Sequence, residues 1–122
     1  MILAFSLSGR TPSKKNGRIT TKSGRSFPSK AYSAWHKDAM AQLMFLGIGK
    51  DGIEKCSVEL HIRFPDLRRA DLTNKAESVM DLLVDYGLLA DDNWKVVGRV
   101  VLSGDLDREN PGVDIIVEVE DE

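Results

Sequence analysis

The stretch Cys56-Ser57-Val58-Glu59-Leu60-His61-Ile62-Arg63-Phe64 constrains this chain's fold more than any other. Apolar residues occupy positions 56, 58, 60, 62 and 64 without interruption. Successive side chains on a strand point to opposite faces, so a period of two predicts a strand with one buried face. Pro65 ends it, because proline has no N–H to give to a sheet. The period then changes. Leu72, Ala76, Val79, Met80 and Leu83 fall within about 100° on a 3.6-residue wheel, which predicts a helix from Leu72 or Thr73 to Tyr86 with these residues as its core face. Gly87 is its expected C-cap. Asp71, Asn74, Ser78 and Asp81 lie on the other side, with Lys75 at the edge.

The rest of the chain gives weaker signals. Residues 2–8 suit a short strand, followed by a basic loop, Gly9 to Gly17. Arg18 to Thr21 and Arg25 to Phe27 form two short arms around a Ser23-Gly24 turn. Ser29 or Ser33 caps a helix reaching about Leu46, with Tyr32, Trp35, Ala39, Leu43 and Leu46 on one face. Lys95 to Leu102 and Val113 to Val119 read as strands. The Gly/Asp/Asn/Pro-rich turn at 104–112 predicts that they pair antiparallel. The expected order is β-hairpin-α-β-α-β-β, an α+β class with a small mixed β-sheet and two main helices. One domain over residues 1–122 is expected, with a basic loop and hairpin at about 9–28.

Composition excludes some classes. No apolar run approaches the roughly 18 residues of a membrane span, and no membrane partner is expected. The start MILAFSLSGR has no basic n-region, so no signal peptide is expected. A single cysteine, Cys56, cannot form an internal disulfide and fits a reducing, cytoplasmic setting. His36 and His61 lack ligand spacing and read as structural, and Trp35 and Trp94 as packing residues. Charge is divided along the chain. Residues 1–50 carry nine Lys/Arg and one acid, a net +8; residues 51–122 carry eight Lys/Arg and eighteen acids, a net −10. The basic half can neutralise the phosphates of a polyanion, or the two halves attract each other within the fold.

Acids stand at both ends of the second helix: Asp71 at its start, and Asp91 and Asp92 after its end. Mg²⁺ prefers hard oxygen ligands and keeps several waters, so one to three carboxylates serve it. Arg68, Arg69 and Lys75 crowd the first cluster. Arginine's planar fork suits phosphate. Each has a plainer role as well: Asp71 as a helix N-cap, Asp91-Asp92-Asn93 as a turn, Lys75 as an i+4 partner of Asp71. The helix spans roughly 22 Å, so the two acid clusters meet only if the chain doubles back from Gly87.

Phe64-Pro65-Asp66-Leu67-Arg68-Arg69-Ala70-Asp71-Leu72-Thr73-Asn74, then Asp81-Leu82-Leu83, Gly87, Asp91-Asp92 and Val96-Val97, resembles the RusA family of Holliday junction resolvases over about residues 58–119. Pro12-Ser13-Lys14-Lys15-Asn16 resembles the loop after that family's first strand. The resemblance implies a homodimeric, Mg²⁺-dependent endonuclease (Mn²⁺ as a substitute) that resolves branched DNA. It implies Asp71 and Asp92 as metal ligands; Asp91, adjacent to Asp92, is a further candidate ligand. Two family positions differ. An aspartate falls on Thr73 and the catalytic lysine on Glu77, with Lys75 two residues earlier. Glu77 restores the acid count if it ligates. Lys14, Lys15, Asn16, Arg18, Lys22 and Arg25 are expected to follow the DNA backbone, with Arg68 and Arg69 as phosphate clamps. A non-catalytic branched-DNA-binding protein of the same fold is the alternative, motivated by Thr73 and Glu77. A weaker one is an acidic interaction module using Glu118 to Glu122.

Overall fold

The structure, a computed structural model, describes residues 1–13, 18–20, 22, 24 and 26–120, and of residues 18–20 and 26–28 only the backbone. Its elements are β1 (Ile2–Ser8), β2 (Arg18–Thr20), β3 (Ser26–Pro28), α1 (Lys30–Phe45), β4 (Cys56–Phe64), α2 (Leu72–Tyr86), β5 (Val97–Leu106) and β6 (Gly112–Val119). A four-stranded mixed sheet in the order β1-β6-β4-β5 packs against both helices, and β2 and β3 form a separate antiparallel pair. The expected class and element order therefore hold.

β4 is the strand its alternation predicts. Cys56, Val58, Leu60 and Ile62 are buried, while Glu59 on the opposite face is exposed. α2 is capped at both ends by the residues expected. The Asp71 carboxylate accepts from the Thr73 N–H at 3.0 Å, and Gly87 takes the left-handed conformation at φ 98°, which a side chain disfavours. α1 begins at Ser29, whose hydroxyl accepts from the Tyr32 N–H. Tyr32, Trp35, Ala39 and Leu43 are buried on one face, as expected. Leu46 is not: it is the C-cap and stays 47% exposed, because the helix has ended before its side chain can reach the core.

The predicted pairing of the last two strands is corrected. β5 runs parallel to β4, with α2 as the crossover that parallel strands require. β6 is antiparallel to β1 on one side and β4 on the other. Apolar content explains the sorting. Val113, Ile115 and Val117 are fully buried in the central β6, whereas β5, carrying Arg99, Ser103, Gly104 and Asp105, is a largely exposed edge. Residues 107–111 pass across the end of β4, where Arg63 donates to the Asn110 carbonyl and the Asp107 N–H donates to that of Phe64. Gly112 begins β6 at a close approach. A Cβ there would lie 2.2 Å from the Leu7 carbonyl oxygen.

Ser78 is also corrected. The helical wheel puts it with the polar residues on α2's outer side, but it is fully buried. Residues 11–13 cross this part of α2, and the Ser78 hydroxyl donates to the Pro12 carbonyl at 2.7 Å. Replacing Ser78 by alanine takes this donor away from the half-buried Pro12 carbonyl and is expected to cost about 1–3 kcal/mol. Urea unfolding with an unchanged m-value would measure it. Among the described residues, no helix is long and apolar enough to cross a membrane.

Candidate functional site

A pocket at the N-terminus of α2 places three cations around an acid. Arg10, Ser13, Arg69, Asp71, Asn74 and Lys75 line it, with Ala70. β1 exits at Gly9, whose φ of 105° turns the chain, and this carries Arg10 over to the β4–α2 loop. There Arg10 Nη1 meets Asp66 Oδ2 at 3.3 Å. Asp66 also fixes Arg68, accepting from its backbone N–H and its Nε, each at 3.0 Å. Arg68 therefore belongs to Asp66, and the cations lining the Asp71 pocket are Arg10, Arg69 and Lys75.

Asp71 is committed in part to its own helix. Its Oδ1 accepts from the Thr73 N–H at 3.0 Å and from the Thr73 hydroxyl at 2.7 Å. Thr73 thus orients Asp71 by a hydrogen bond. Lys75 is pushed below the ordinary value of 10.5, first by burial and then by the Arg10 charge, with Asp66 partly offsetting both. An anion entering here would relieve the repulsion between cations.

Asp91 and Asp92 lie elsewhere. The loop after Gly87 folds back onto α2, with the Leu88 and Leu89 N–H groups donating to the Leu83 carbonyl. The acid charges acting on Asp92 are those of Asp81 and Asp91. Asp81 is ten residues beyond Asp71, about 15 Å of helical rise. The doubling back thus reaches the level of Asp81. Asp92 is raised, first by burial, then by its hydrogen bond with Asp91 and the Asp81 charge. Asp91 is lowered, chiefly because the Asp92 N–H donates to it at 2.7 Å. Among the described residues, no three His, Cys, Asp or Glu side chains are grouped so as to hold a metal ion.

The other expected site residues fall in three places. Glu77 is exposed on α2. Lys22 is exposed in the β2–β3 turn. Arg18 lies in β2, its side chain outside the described part, and Lys14, Lys15, Asn16 and Arg25 lie outside the described residues. Trp94, expected to pack, is 77% exposed beside the acidic loop, because Asn93 turns the chain there by accepting from the Lys95 N–H. His36 does bridge structurally, meeting Asp85 of α2 at 2.9 Å. Sequence reasoning missed Arg10 and Asp66 as site residues. Their one sequence signal is a cation just after a strand-ending glycine and an acid in the opening of the Arg-rich motif. Comparison with protein-family models and with curated proteins gives no match to this chain.

Proposed function

We propose that this chain is a Mg²⁺-dependent endonuclease of branched DNA, acting as a homodimer in recombination and repair. The observation that carries the reading is the convergence of Arg10, Arg69 and Lys75 on Asp71 at a helix N-terminus. A phosphodiester in this pocket meets three cations. Arg69 presents a planar fork to its oxygens, while Arg10, held by Asp66, approaches from the side of β1. Asp71, oriented by Thr73, offers carboxylate oxygen beside the phosphate. Mg²⁺ is commonly bound by one or two carboxylates together with substrate phosphates, and Asp71 fits that role. The ion, when bound, polarises the phosphate and lowers the pKa of a water. A two-fold dimer matches the two-fold-related strands of a four-way junction.

A second reading, binding without cleavage, is favoured by one observation: Asp71 Oδ1 is already engaged by Thr73, among cations that repel a divalent ion. Cleavage of a synthetic junction, as against binding alone, separates the two.

Both readings make Lys75 a phosphate contact only while it is protonated. Because its pKa lies below 10.5, its charge is lost at a lower pH than an ordinary lysine's. Junction affinity is expected to fall as pH rises through that lowered value, and Lys75→Arg, which stays charged, is expected to abolish the step. Lys75→Met should reduce the slope of log K against log salt by about 1. Fluorescence anisotropy across pH and salt tests both.

A further inference from the structure

Behind the Asp71 pocket, across Ala70, lies a second depression walled by Phe64, Leu67, Leu72, Gly104 and Leu106. Ala70 lines both. We propose that this depression receives an unstacked nucleobase whose own phosphate rests on Arg10, Arg69 and Lys75. The proposal rests on the reading of the chain as DNA-binding and adds to it a site for the base.

Its walls are apolar and partly open to solvent. Leu67 is 76% exposed and Leu106 39%, an exposure that a partner with an apolar face would relieve. Phe64 lies against the edge strand because residue 104 is glycine. A Cβ there would come within 2.9 Å of Phe64 Cε2 and 3.5 Å of Leu72 Cδ1. The rim is polar in a way that suits a base. Arg68 is fixed by two contacts to Asp66 Oδ2, at 3.0 Å each, and a planar guanidinium held in place can stack on a base face. Asp105 stands at the rim, and a carboxylate accepts from the exocyclic amino group of a base. A peptide side chain would fill the same apolar space, but the cationic pocket on the other side of Ala70 selects a ligand with a phosphate next to its ring. A base can reach the depression only when it has left its stack, so the site favours branch points over continuous duplex.

The test uses the full chain and a synthetic four-way junction carrying 2-aminopurine at a branch-point position, titrated without divalent metal. Wild-type protein is expected to change the 2-aminopurine emission on binding. Leu67→Ala, and Leu67→Ala with Leu106→Ser, alter exposed side chains and should leave the thermal melt unchanged. They are expected to abolish the emission change and weaken binding about five- to 150-fold, with the salt slope unaltered. Variants that bind and report like wild type would overturn the base site while leaving the DNA reading in place. If wild-type protein shows no salt-dependent binding at all, the DNA reading fails and the base site with it.

Discussion

Asp71→Asn is expected to reduce metal-dependent junction cleavage by at least about 100-fold while leaving the fold intact. Loss of a residue that merely supports a metal ligand costs about 10- to 100-fold, and a residue that binds the ion directly should cost no less. The fold survives because asparagine caps a helix as well as aspartate does. The side-chain oxygen that accepts from the Thr73 N–H and hydroxyl is present in both. The charge is what changes. Junction affinity without metal should hold or rise, since removing an acid among Arg10, Arg69 and Lys75 strengthens the local attraction for phosphate. Circular dichroism, anisotropy and a cleavage gel on one preparation report the three effects separately. Equal cleavage by the two proteins would remove Asp71 from the chemistry.

Leu60→Ala is expected to have the largest effect on stability, about 2–5 kcal/mol. Leu60 is fully buried on β4, which pairs with β5 on one side and β6 on the other. Little can collapse into the space its side chain leaves, because both neighbouring strands are fixed by their own ladders. Domains of this kind are stable by only about 5–15 kcal/mol, so the loss is a large share of the whole. The midpoint of urea unfolding should fall without a change in slope. An effect below about 1 kcal/mol would mean that β4 is not central to the core.

The two elements around the site were legible in the sequence for physical reasons. β4 shows an unbroken period of two, and α2 combines a 100° apolar arc with Asp71 and Gly87 as caps, so local pattern and tertiary burial agree. Strand neighbours were not legible. The turn chemistry at 104–112 fits a hairpin, but the competition for the sheet's centre is decided by burial, and the more apolar β6 takes it. Ser78 was misplaced because a helical wheel counts polarity and cannot anticipate that Pro12 will pass over it with a carbonyl to satisfy.

Half of the site was legible too. Arg69, Asp71 and Lys75 lie close together in one motif and remain together in the fold. Arg10 comes from the end of β1, and only the path of the chain after Gly9 brings it to Asp66. A meeting of Asp71 with Asp92 depends on how far the α2–β5 loop doubles back, which spacing does not specify. In the structure the loop that carries Asp92 is pinned beside the start of β4, where the Ala90 N–H donates to the Ile53 carbonyl and the Cys56 N–H to that of Val96.

The central claim is that a phosphodiester held at the Asp71 pocket is cut. The most direct measurement is a denaturing gel of a 5′-labelled four-way junction incubated with the wild-type protein, with Mg²⁺, with Mn²⁺ and with neither. The account predicts paired, symmetric incisions that require the metal. Tight, salt-sensitive binding of the junction with no product at any metal concentration would contradict it.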